Sequence, residues 1–181
     1  MISESMQKLV NNQLQVDLNS AYLYLAISNY FERMNLTGMA RWLMAQYHEE
    51  LTHAQILMKY LNDRDGVVEI RAIPAQEVNY GTPFQAFQKI LGHEEGVTAS
   101  YQKAYNQAVT EGDTQTADLM QQFLREQIDE TAQSKIIVGR LQLNNNNPAG
   151  LLLLDQELGQ RTNGVAAPGT APAAPVAPPA G

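Results

Sequence analysis

The chain has 181 residues, 44% of them hydrophobic, with 12 basic against 19 acidic side chains and a formal charge of −7. That length supports one domain with a sizeable core, and the acidic balance argues against a nucleic-acid binder, which needs a basic face. No cysteine is present, so disulfides and thiolate metal sites are excluded and oxygen and imidazole nitrogen remain as metal donors.

The N-terminal MISESMQKLVNNQ has no basic stretch followed by an apolar run, so no signal peptide is expected. Residues 4–34 read as a first helix: Leu9, Asp17, Tyr24, Ile27 and Phe31 recur at helical spacing, with no Gly or Pro inside. Asn35 to Gly38 is a short break, and Thr37 can cap the next helix. Residues 38–63 form that second helix, with Met39, Leu43, Glu50, His53, Leu57 and Leu61 on a single stripe. Asp65-Gly66 ends it.

Residues 66–81 lack a helical period. They read as a connection long enough to run the length of a bundle and join two parallel helices. Thr82-Pro83 starts the third helix, which runs to about Thr110 through Phe87, Leu91, Glu94, Val97, Tyr101 and Ala108. After the corner Glu111-Gly112-Asp113, residues 114–142 form the fourth, with Met120, Phe123, Gln127, Glu130, Ile137 and Leu141 on one face. A short fifth helix is expected over 149–159. The longest aliphatic run, Leu151 to Leu154, is far too short to cross a bilayer. Residues 161–181 read as a separate Pro/Ala/Gly-rich tail, expected to be disordered. The fold class is therefore all-α: a four-helix bundle over residues 1–160 with one long crossover and a short fifth helix.

Each long helix carries an acid on its apolar seam: Asp17, Glu50, Glu94 and Glu130, with His53 beside Glu50 and Gln127 beside Glu130. A buried carboxylate costs several kcal/mol, roughly, unless it is compensated. Taken singly, each has an ordinary reading. Glu50 and His53 could be a satisfied core pair, Asp17 could bond Ser20, Glu94 sits in a charge run, and Gln127 and Glu130 could face solvent. Four acids near mid-length are hard to pack without a cation between them. Carboxylates with one imidazole are the donor set of a di-iron or di-manganese site. Glu49, Glu126 and Asp129 flank the seam by one position and could form an outer layer. Tyr24 shares the seam with Asp17, two turns on. His48 and His93 fall off the seams and read as surface; Trp42 reads as packing.

The chain resembles the non-haem bacterial ferritins over about residues 5–160. The resemblance rests on Glu49-Glu50-Leu51-Thr52-His53, on Tyr24 seven residues after the first-helix acid, on His93-Glu94, and on Glu126-Gln127-Ile128-Asp129-Glu130. It implies that Asp17, Glu50 and His53 hold one ferroxidase iron, and that Glu50 bridges to a second held by Glu94 and Glu130, with Gln127 near by. Glu49, Glu126 and Asp129, with Glu130 shared, look like the family's third iron site, and Tyr24 like the tyrosine beside its centre. The implied function is oxidation of Fe²⁺ by O2 or H2O2 and storage as a ferric oxyhydroxide mineral. The implied assembly is a hollow homo-oligomeric shell of twenty-four subunits; the lack of cysteine is compatible with a cytoplasmic protein, and the charge and hydropathy give no expectation of a nucleic-acid or membrane partner.

Two positions depart from the family pattern: Asp17 and Asp129 stand where glutamate is usual. An aspartate reaches about 1.5 Å less. If that reach limits the first site, Asp17→Glu should raise its occupancy. Among the alternatives, bacterioferritins carry Glu-x-x-His on the fourth helix, where this chain has Gln127-x-x-Glu130. They also place a haem-ligating Met after the bridging glutamate, where Leu51 stands, so no haem is expected. DNA-protecting miniferritins lack the fifth helix. A non-catalytic, shell-forming bundle is a further alternative.

Overall fold

The computed structural model describes residues 1–145 and 147–160; the expected tail at 161–181 lies outside them. Five helices follow in order: α1 (Glu4–Arg33), α2 (Thr37–Asp63), α3 (Pro83–Thr110), α4 (Thr114–Asn144) and α5 (Pro148–Leu158). No strand occurs among the described residues. The seams expected on α1, α2 and α4 are buried at every position named for them. On α3, Ile90 is buried where Leu91 had been expected, a one-residue error in placing the stripe.

Local chemistry sets the helix ends. Ser3 accepts from Met6 N at the start of α1. Thr82 and Gln85 form a reciprocal capping box at the start of α3, with Pro83 in the first turn. Gly112 takes a positive φ of 73° at the corner, and Asp113 then caps α4 by accepting from Thr116 N. The start of α2 differs from expectation. Thr37 already lies inside the helix, and Leu36 at the cap position offers no side-chain acceptor. The orphan amides are satisfied from a distance: Gly38 N and Met39 N donate to the Asp155 carboxylate of α5 at 3.1 and 2.8 Å.

Residues 64–82 form the crossover, fastened along α1 by polar side chains. Val67 N donates to Gln7, and Asn11 both donates to Val67 O and accepts from Glu69 N. Further along, Arg33 and Tyr30 donate to the carbonyls of Val78 and Gly81. The strap thus starts beside the first turns of α1 and ends beside its last. Hence α3 runs parallel to α2 and antiparallel to α1, as expected.

The interior is divided. One apolar cluster takes Met6 to Leu14, Ala54 to Leu61, Val97 to Ala108 and Ala117 to Phe123. The other takes Leu23 to Phe31, Leu36 to Leu43, Tyr80 to Ile90 and Ile137 to Leu154. The gap between them falls at mid-length on all four long helices. It is filled by buried polar groups, namely Asp17, Ser20, Gln46, Glu50, His53, Glu94, Gln127, Glu130 and Ser134.

Candidate metal centre

One helical offset and one neighbouring helix place the central donors. Glu50 and His53 are three apart on α2 and share its inward face, and Asp17 meets them from α1. One donor atom from each of Asp17, Glu50 and His53 lies within 4.8 Å of the others, and all three residues are buried. His53 Nδ1 stands 3.7 Å from Glu50 Oε2, outside hydrogen-bond reach, while Nε2 lies 3.0 Å from Glu126 Oε2. Glu126, expected in an outer layer, therefore holds the far side of the ring. Such a carboxylate fixes which imidazole nitrogen faces the cluster.

The other seam residues complete the polar layer. Gln127 Nε2 donates to Glu94 Oε2 at 2.9 Å. Gln46 Nε2 donates to Glu130 Oε2 at 2.6 Å. Glu94 is close enough to Asp17 to raise its carboxyl. Asp129 is exposed and Glu49 half-buried, so neither enters the central cluster. Three buried oxygens in this layer have no hydrogen-bond partner: Glu50 Oε2, Tyr24 Oη and Ser134 Oγ. Buried polar atoms are rarely left so. A carboxylate oxygen without a donor, beside a second carboxylate and an imidazole, fits a hard or borderline cation.

The electrostatics agree. Burial, and then the facing Glu50, push the Asp17 carboxyl well up, against smaller pulls from His53 and Tyr101. Burial raises Glu50, while the imidazole opposes it. Burial pulls His53 down, but Glu126 and Glu50 outweigh it and hold the ring well above the usual imidazole range. Burial raises Glu94 to about 6, against its bond from Gln127. On Asp17, Glu50 and Glu94 burial is the largest cause and favours the neutral carboxyl over an isolated buried charge.

Several contacts were not foreseen. His93, expected at the surface, is mostly enclosed. Its Nε2 lies 2.8 Å from Ser20 Oγ, and its ring meets Tyr24 edge-on at 6.0 Å; burial lowers its pKa. Gln46 sits one turn before Glu50 on the same stripe, so the spacing that found Glu50 could have found it. Tyr101 had been placed on the α3 seam as core, yet its hydroxyl donates to both Asp17 oxygens, at 2.8 and 2.7 Å. Trp42 packs on Phe87, as expected.

Comparison with known proteins places the fold. The family described as "Ferritin-like domain" matches residues 7–144. A bacterial non-heme ferritin of Bacteroides fragilis is 34% identical over 161 residues, covering 89% of this chain and 100% of that protein. One from Campylobacter jejuni is 32% identical over 156 residues, covering 86% and 93%. Among solved structures, an engineered closed form of the Archaeoglobus fulgidus ferritin superposes with a TM-score of 0.88 at 34% identity, covering 90% of this chain and 99% of that one. The open-pore ferritin of the same archaeon gives 0.87 at 33%, covering 90% and 100%.

Proposed function

This chain belongs to the ferritin family, and we propose that it oxidises Fe²⁺ at a di-iron centre in the polar layer and stores the product as a ferric oxyhydroxide mineral inside a hollow shell. The functional unit is residues 1–160. The observation that carries the reading is the buried Asp17, Glu50 and His53 cluster, with an oxygen of Glu50 that accepts no hydrogen bond.

In this reading Asp17, Glu50 and His53 hold the first Fe²⁺. Glu50 also reaches the second, which Glu94 and Glu130 bind with Gln127 close by. Each Fe²⁺ gives up one electron. O2 takes two electrons and two protons to become H2O2, or H2O2 takes two of each to become water. His53 gives up its ring proton as the metal arrives, since a metal-bound imidazole nitrogen must be deprotonated. Glu126 keeps the ring oriented. In this reading Tyr24, buried beside the layer with an unpartnered hydroxyl, donates a hydrogen bond or an electron. Glu49, Glu126 and Asp129, with Glu130, form an outer site through which the oxidised ion passes. Leu51 follows Glu50 and offers no donor atom, so the reading includes no haem. No helix among the described residues is long and apolar enough to cross a membrane, and the reading places the shell in the cytoplasm.

Stopped-flow mixing with Fe²⁺ under oxygen tests it. Rapid loss of Fe²⁺ with a blue transient is expected from the native protein, and Glu50→Ala should abolish both. Oxidation by that variant at the native rate would overturn the assignment.

A further inference from the structure

Asp17 is the short member of its cluster, and a tyrosine hydroxyl meets its carboxylate. It is wholly buried, and both its oxygens accept from the Tyr101 hydroxyl at 2.8 and 2.7 Å. Tyr101 is itself only 1% exposed and cannot easily swing aside. Its ring stacks on Phe123, centroid to centroid 4.9 Å at 26°. Phe123 in turn meets the His53 ring edge-on at 5.2 Å. One aromatic pair therefore braces two of the three clustered donors, Asp17 from α1 and His53 from α2.

We propose that Tyr101 and Asp17 act as a size-matched pair, in which the phenol occupies the place of the missing methylene and positions the shortened carboxylate for the first metal ion. The proposal rests on the di-iron reading above. It makes Tyr101 a positioning residue that acts through Asp17. One carboxylate oxygen turns to the cation while the other keeps the hydroxyl, as outer hydrogen bonds commonly orient metal-binding carboxylates.

The pair changes the expectation for Asp17→Glu. An added methylene, about 1.5 Å, drives the carboxylate into the phenol instead of extending its reach. Asp17→Glu should therefore weaken the first site. Tyr101→Phe should weaken it too, by releasing the carboxylate. The double variant adds one carbon and removes one oxygen, a nearly volume-conserving exchange, and should recover.

Anaerobic titration of the intact assembly with Co²⁺ reads this out, by calorimetry and by the visible absorption of the bound ion. Each single variant is expected to bind the first Co²⁺ about tenfold more weakly with an altered band, in the range typical of lost outer-shell partners. The double variant should return to within about threefold of the native affinity and restore the band. Binding by Asp17→Glu as tight as native, or simple multiplication of the two single losses in the double variant, would overturn the pairing while native binding upheld the centre. Absence of any buried Co²⁺ in the native protein would overturn the centre and the pairing together. Unchanged circular dichroism and assembly size in all three variants separate loss of positioning from loss of fold.

Discussion

Glu94 shows how single side chains set the pH behaviour of this fold. Its folded carboxyl titrates at about 6, against 4.5 unperturbed, because burial disfavours the charge. The folded chain holds that proton more tightly than the unfolded chain. The stability it contributes is full below about 4.5, declines as pH rises to about 6, and is gone above. The loss is about 2 kcal/mol. Asp17 and His53 are shifted in the same direction and add to the trend. The chelator-treated protein should therefore melt at lower temperature at pH 7 than at pH 5, and Glu94→Gln should flatten part of that difference. A melting temperature that did not fall between these values in the native chain would count against a buried, uncompensated Glu94. At this scale the acids on the seams were legible because a charge on an apolar stripe violates its own periodicity. Tyr101 and His93 were not. An aromatic at seam spacing obeys the pattern, and a histidine one position off the seam looks exposed until the neighbouring helix closes over it.

Between elements, the joint of α5 with α2 is the most exacting contact. Asp155 accepts from two α2 amides, and a Cβ added at Gly38 would lie 1.7 Å from the Asp155 carbonyl oxygen. Asp155→Ala should cost about 1–2 kcal/mol, as for loss of a helix cap, and speed hydrogen exchange at the amides of Gly38 and Met39. Gly38→Ala should release α5 altogether, seen as rapid exchange along Pro148–Leu158 while α1 stays protected. The helices themselves followed from periodicity, and the crossover from the lack of it. The capping partner did not, because it comes from 117 residues away. Local rules nominated Thr37, and tertiary contact supplied Asp155.

At the scale of the molecule, the protomer leaves Leu152 and Leu153 of α5 and Ile136 and Leu143 of α4 more than half exposed. A second copy of this chain would cover them in the proposed shell. Light scattering should then give about 480 kDa, for twenty-four copies of a 20.1 kDa chain. Leu152→Glu with Leu153→Glu should shift the population to smaller species; an unaltered mass would place the subunit contacts elsewhere. The division of the interior has its own consequence. Two oily compartments, one toward each end, flank a wet storey whose own side chains bond across the rods. In the proposed function, a cation entering this layer would displace protons held by Asp17 and Glu50, whose carboxyls burial raises, between two apolar clusters that contain no carboxyl or basic side chain.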